Sequence, residues 1–483
     1  MRIVSPTVSL AVSLAVAFTL GLALSGCLVS RVDPQKPDLP LPDALPAQAA
    51  ATVALPDPWW KIFADPVLDQ LVDEALAHNP DVTVAAARVA EARAGLRITN
   101  AARFPTVDLQ GSATRSKDSA FVNTVPGIPL EGNIYSVQGA VGFELDLWGK
   151  YLRASQSARA QLLNTEFGRE ATKLSLTGDV ARGYFGLIAA AEQLARGRDT
   201  LASRGESLNI EKLRFDAGES DEFTFKRAEA DAAATRKSVH QLELELTQRS
   251  NFLGVLLGRS PKVLVENAIA SPRTELPAAV MLPAALPSSV MERRPDIGAA
   301  EAALNASAAD IGVARAQLFP SISLTGAFGS VSTDLDDLFT KPSEAWSIAG
   351  NLLQPIFEGG RLRANVSRAE AVREQRKAEY AKTVQGAFRE VLDGLQGQTL
   401  IAGVSDANAQ QVAALARAVE LAELRYNQGD IAYLELLDVR RGLFQAQIDL
   451  VAAQRDALLN TVDLALAVGG GMGERAEPLS AKR

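Results

Sequence analysis

"NPDVTVAAARVAEARAGLRITNAARFPTVDLQG", residues 79–111, decides the fold, because it lies without a gap over "RPDIGAAEAALNASAADIGVARAQLFPSISLTG", residues 294–326. Pro80, Asp81, Ala87, Phe104, Pro105, Leu109 and Gly111 return as Pro295, Asp296, Ala302, Phe319, Pro320, Leu324 and Gly326, always 215 residues later. Two further matches occur in the same order. "LWGKYLRA" (147–154) resembles "IFEGGRLRA" (356–364), and "LRFDAGES" (213–220) resembles "LRYNQGDI" (424–431), now 211 residues apart. The chain is therefore written twice, and a repeat this long is a structural unit in itself rather than a turn of a solenoid.

Each copy has one plan. Pro80 and Asp81 suit a helix start, proline at the first turn and an acid at the positive end of the dipole. Phe104-Pro105 ends that helix. Then Thr106, Asp108, Gln110, Ser112 and Thr114 alternate with Val107, Leu109, Gly111 and Ala113, the period of two that marks a strand. A loop with Pro126, Gly127, Pro129 and Gly132 leads to a second strand, Ile134 to Leu147. Its apolar face is Tyr135, Val137, Val141, Phe143, Leu145 and Leu147; Ser136, Gln138, Ala140, Glu144 and Asp146 face the other way. The second copy repeats this less cleanly at 321–330 and 345–357.

Prolines then vanish, from Pro129 to Pro261 and from Pro355 to Pro478, which points to very long helices. Lys150 to Asp216 spans ~100 Å at 1.5 Å per residue. Gly218 turns the chain into a shorter helix, Asp221 to Leu257. Each copy thus supplies a long helix and a two-piece partner packed against it.

Composition narrows the function. Of 483 residues 47% are apolar, 49 are basic and 57 acidic, for a net charge of −8 and a mean hydropathy near zero. No basic block suits nucleic acid. One cysteine and two histidines, His78 and His240, leave nothing from which to build a disulfide, a His/Cys metal cluster or a histidine triad. With no nucleophile or phosphate motif, an enzyme is the weakest reading. The single cysteine ends "LSGC" (24–27), after Arg2 and an apolar run from Val8 to Leu24. This resembles a lipoprotein signal, residues 1–26, which would leave Cys27 carrying diacylglycerol and an N-acyl chain; a plain signal peptide or anchor is the alternative. Leu28 after the cysteine resembles lipoproteins sent to the outer membrane. No other segment offers ~18 consecutive apolar residues.

Four two-faced strands per chain leave open edges. In lipid only a closed barrel satisfies the backbone, and barrels take about eight strands or more, so several copies must share one. A hairpin pair packed on helices in water would show the same alternation.

"DPWWKIFADPVLDQLVDEALAHNPDVTVAAARVAEARA" (57–94), "FELDLWGKYLRA" (143–154), "RRPDI" (293–297) and the paired turns resemble the outer membrane efflux factors of the TolC and NodT lipoprotein type, over nearly the whole mature chain. The resemblance implies a mainly α fold with a membrane β-barrel: a homotrimer whose strands form a shared barrel of twelve and whose helical hairpins form an α-barrel. It further implies a passive exit duct, set in the outer membrane lipids and extending into the periplasm. The duct would receive drugs, dyes and toxic solutes from an inner-membrane pump through a periplasmic adaptor. It implies no cofactor beyond the lipid. The first repeat is placed at 66–257 and the second at 293–468; 28–65, 258–292 and the tail 469–483 would form a belt. A type I protein-secretion duct is the alternative within the class, and a non-conducting helical scaffold lipoprotein the alternative outside it. An adaptor would lack the duplicated strand pairs.

Residue by residue, the resemblance places the turn glycine at Gly429 and a periplasmic gate at Leu434, Glu435, Asp438 and Arg441. Leu434, Asp438 and Arg441 stand at i, i+4 and i+7, one stripe of a helix. An ordinary turn with an Asp438–Arg441 ion pair is the plain alternative. Ile431 replaces a basic residue found in some members, so closure would rest on Asp438 and Arg441. Gly218, Asp221, Phe223 and Arg227 would lie beside the gate and face the adaptor, with a plain helix turn as the alternative, and Asp108, Gln110, Glu144 and Asp146 would face the barrel lumen. Trp148 reads as an interfacial anchor or as packing at the bend, and Trp59 and Trp60 as belt packing.

Overall fold

The computed structural model describes residues 32–40, 56–119, 121, 130–266, 273, 275–282 and 293–470. The signal segment 1–26 and Cys27, the loop around Pro126 and Gly127, parts of both belt segments and the tail beyond Gly470 lie outside the described residues.

The duplicated sequence gives a duplicated order of elements. The first copy comprises α1 (Pro66–His78), α2 (Pro80–Ala101), β1 (Thr106–Lys117), β2 (Glu131–Leu145), α3 (Lys150–Asp216), α4 (Glu222–Leu256) and the short α5 (Pro261–Glu266). The second comprises α6 (Pro295–Ala316), β3 (Ser321–Ser332), β4 (Glu344–Leu353), α7 (Arg361–Gln428) and α8 (Tyr433–Ala467). With 67 and 68 residues, α3 and α7 each rise about 100 Å.

Strand ends differ from the alternation for local reasons. β2 begins at Glu131 because that residue pairs with Lys117 in register, Nζ to Oε1 at 3.0 Å. It stops at Leu145, since the Asp146 carboxylate accepts from the backbone N–H groups of Tyr151 and Leu152 at 3.1 and 2.8 Å and so belongs to the start of α3. β4 stops at Leu353, ahead of Pro355, which has no N–H to give a ladder.

The chain divides into two units: 32–37, 89–164 and 300–380 in one, 38–88, 165–299 and 381–470 in the other. In the first, the strands form one antiparallel sheet in the order β1-β2-β3-β4. Asp108 stands opposite Ala140, Val141 opposite Gly326, and Gly326 opposite Ile348, so each face runs unbroken across all strands. One face gathers Val107, Leu109, Val141, Leu324, Trp346 and Ile348. Leu109, Trp346 and Ile348 are 80%, 70% and 83% exposed in the single chain, a contiguous apolar face of the kind that marks an interaction surface. Hydroxyls hold the other face, where Ser112 Oγ lies 2.9 Å from Ser136 Oγ.

In the second unit the helices pair antiparallel. Arg198 meets Glu243 at 2.8 Å and Arg204 meets Asp231 at 3.0 Å across α3 and α4, while Arg440 meets Glu423 at 2.6 Å across α7 and α8. Gln193 Nε2 donates to the Ile448 carbonyl at 3.2 Å, joining α3 to α8. The main core buries Trp59 and Phe63 of a 3-10 turn with Leu68 and Val72 of α1, Phe185 and Ile188 of α3, Leu253 of α4, and Leu458 and Val462 of α8. Trp59 also donates from Nε1 to Thr177 Oγ1 at 3.1 Å. Trp60 packs against this cluster at its edge.

Candidate functional site

The turns come first, because they aim everything else. After α7, Gly429 takes φ +85°, its N–H donates to the Tyr426 carbonyl at 3.0 Å, and the Asp430 N–H donates to the Arg425 carbonyl at 2.9 Å. After α3, Gly218 at φ +77° does the same with Phe215 and, through Glu219, with Arg214. Both are left-handed caps that glycine adopts without a Cβ penalty. The reversal consumes Asp430 and Ile431, so α8 starts at Tyr433.

The helix starts beyond the two turns differ between copies. Asp221 caps α4, accepting from the Thr224 N–H at 2.7 Å, and the Thr224 bond holds its exposed carboxyl below the usual carboxylate range. Ala432 precedes α8 and offers no side-chain cap. Gly218, Asp221 and Phe223 are exposed. Arg227 is half-buried, its guanidinium 5.5 Å from the centroid of the Phe223 ring.

On α8, Leu434, Glu435, Asp438 and Arg441 are all exposed, while Tyr433, Leu436 and Leu437 are buried. Tyr433 and Leu437 pack on Ala228 of α4, with Leu208 and Tyr426 beside them. Leu434 and Asp438 of the stripe thus point away from the hairpin packing. Among the described residues no Asp438–Arg441 ion pair forms. Arg441 instead gives its Nε–H to Asp231 Oδ1 at 2.9 Å, joining α8 to α4. Asp231 is shared, because Arg204 of α3 approaches its other oxygen at 3.0 Å, and the Arg204 and Asp231 side chains are only 5% and 4% exposed. Burial pulls the Arg204 guanidinium below its ordinary value, with the Asp231 charge opposing.

A second set of contacts lies alongside. Arg440 donates to Glu423 Oε1 at 2.6 and 3.0 Å and to Ser207 Oγ at 2.9 Å. The Tyr426 hydroxyl donates to Glu211 Oε1 at 2.7 Å and accepts from Arg214 at 3.0 Å; burial first, then Glu211, pushes the phenol up to about 12. Four helices are therefore cross-linked by charge next to the exposed stripe. Sequence reasoning placed the stripe and missed these partners. One signal was present: Asp231 interrupts the buried run Ala228, Ala232, Thr235 and Val239 on α4, where a lone acid on an apolar face demands a cation.

The sheet holds the other predicted residues. Asp108 and Gln110 lie on the hydroxyl-bearing face. Glu144 shares that face and is tied to Lys150 Nζ at 2.6 Å and to the Tyr151 hydroxyl at 2.8 Å, while Asp146 caps α3. Trp148 stacks on Phe319 at 4.8 Å and donates to the Pro320 carbonyl at 2.7 Å, binding the strand-to-helix bend of the first copy to the helix-to-strand bend of the second. Among the described residues no three His, Cys, Asp or Glu side chains gather as a metal site. Among the described residues no helix is long and apolar enough to cross a membrane.

Comparison with known proteins places this geometry. The family model described as outer membrane efflux protein matches residues 71–259 and again 286–470, one match per copy. The chain is 33% identical over 459 residues to the cation efflux system protein CusC of Escherichia coli O6:H1, covering 94% of this chain and 98% of that protein. It is 36% identical over 460 residues to the toluene efflux pump outer membrane protein TtgI of Pseudomonas putida, covering 93% and 96%. The Campylobacter jejuni CmeC outer membrane channel superposes with a TM-score of 0.84 at 26% identity, covering 91% of this chain and 96% of that one.

Proposed function

This chain belongs to the outer membrane efflux protein family, and we propose that three copies of it form the gated exit duct of a tripartite efflux system. It is an outer-membrane efflux channel protein extending into the periplasm, not an enzyme. The observation that carries the proposal is the two-faced sheet whose outer strands, β1 and β4, have unpaired edges. In lipid those edges need partners, and joining β4 of one copy to β1 of the next closes a barrel with the apolar face outward.

In this reading Leu434, Glu435, Asp438 and Arg441 project into the mouth of the helical tunnel as rings, and Gly218, Asp221, Phe223, Arg227 and Gly429 meet a periplasmic adaptor. Cargo such as drugs, dyes or toxic solutes is chosen by the inner-membrane pump. That the curated relatives include a cation system and a toluene pump supports a duct that does not itself select between such different solutes. Cys27 carries the lipid.

Purified protein in planar bilayers tests the duct: a trimer by cross-linking and discrete conductance steps are expected, and the absence of both would end the reading. Asp438 has no ion-pair partner among the described residues, so Asp438→Ala removes a free carboxylate from the mouth. Conductance and antibiotic leakage should rise severalfold, whereas unchanged values would move the constriction elsewhere. Cys27→Ser should abolish incorporation of labelled palmitate, and retained label would remove the lipid assignment.

A further inference from the structure

The pairing register assigns every strand residue to a face, and the hydroxyl-bearing face is almost free of charge. Ser, Thr, Gln, Asn, Ala and Gly dominate it, with a few aliphatic residues near the strand ends and no aromatic ring. It carries two carboxylates, Asp108 and Glu144. Glu144 is neutralised by Lys150 at 2.6 Å. Asp108, exposed on β1, has no ion-pair partner among the described residues.

Nor can a neighbouring copy supply one from the strand that would join β1. The same face of β4 carries Ala345, Ser347, Ala349, Asn351 and Leu353. No sliding of β4 along β1 brings a basic side chain from that face opposite Asp108, so the conclusion holds for any register of the seam. Resting on the reading of the chain as a duct, we infer that Asp108 sets the ion preference of the barrel, passing cations and neutral solutes ahead of anions.

The physical reach of such a ring is its screening length. A fixed charge on a low-dielectric wall acts over ~8 Å at physiological ionic strength, ~30 Å at 0.01 M and ~3 Å at 1 M. In a water-filled barrel the ring biases ions strongly in dilute salt and weakly in concentrated salt. With no aromatic face on the lining, passing solutes find no stacking surface on which to lodge.

Reversal potentials in planar bilayers under a KCl gradient test this with the full-length protein. Glu435→Ala combined with Asp438→Ala serves as the background, so that the carboxylates placed at the tunnel mouth do not contribute. At ~10 mM salt the cation-over-anion permeability ratio should be about threefold or more, collapsing toward one at ~1 M. Asp108→Asn should bring the dilute-salt ratio close to one, Gln110→Lys should do the same by placing a cation beside the carboxylate, and Asp108→Lys should invert it. If the lysine variants fail to assemble, the isosteric asparagine variant decides. A conducting pore whose ratio is unchanged by Asp108→Asn overturns the assignment of Asp108 and leaves the duct standing. A wild-type chain that never conducts overturns the duct and the selectivity together.

Discussion

Asp231→Ala is expected to destabilise the helical unit by about 3–5 kcal/mol, because it strands the guanidinium of Arg204, 5% exposed, in an apolar seam. The other partner behaves differently. Arg441 is 48% exposed and can turn to water when its carboxylate is gone, so its share of the loss is small. The cost therefore belongs to the α3–α4 pair, and the loosening to the α8 contact. Two readouts separate them. Thermal melting of the detergent-purified protein should fall by several degrees, and conductance should rise because the link from α8 to α4 is cut. Combining Asp231→Leu with Arg204→Met removes the stranded charge and should recover most of the melting temperature without closing the channel again. If Asp231→Ala melts like the parent, the shared carboxylate is not a structural element of the tip.

Gly329→Ala is expected to prevent the sheet from assembling. A Cβ on Gly329 of β3 would overlap the Val137 carbonyl oxygen and stand 2.6 Å from the Gln138 Cα, both backbone atoms of β2 that cannot swing aside. The strands must separate and lose ladder bonds, which puts the penalty at or above the top of the about 1–3 kcal/mol range for overpacked sites. Gly139 and Gly326 provide the contrast. An added Cβ there would lie 3.7 Å from the nearest carbonyl oxygen, an ordinary contact, so Gly139→Ala and Gly326→Ala should be tolerated. The yield of heat-resistant oligomer in outer-membrane fractions measures all three, and a normal yield for Gly329→Ala would show that β2 and β3 can yield at this point.

Much of this architecture was legible in the residues because it is written in period and repetition. The alternation after Phe104-Pro105 places Asp108 and Gln110 on one face and Val107 and Leu109 on the other, and the register keeps them so. Long stretches without proline announce α3 and α7. The partners of the stripe on α8 were not legible, because Arg441 and Asp231 are 210 residues apart and no local pattern links them. Nor do the glycines inside the long helices explain themselves in sequence. Gly178 sits where Leu466 of α8 presses against α3, and Gly397 where Asn460 presses against α7, close approaches that a helix-propensity argument registers only as a cost.

The two turns end α3 and α7 alike, yet only α4 has a side chain to fasten its first turn; α8 begins on Ala432. A ring of six identical subunits would have to give every hairpin the same fastening. Fusing two copies into one chain lifts that constraint, since each copy can drift toward its own task. In the proposed trimer the capped and uncapped hairpins would alternate around the axis, so that the duplication first met in the sequence would let one set serve as frame and the other as door.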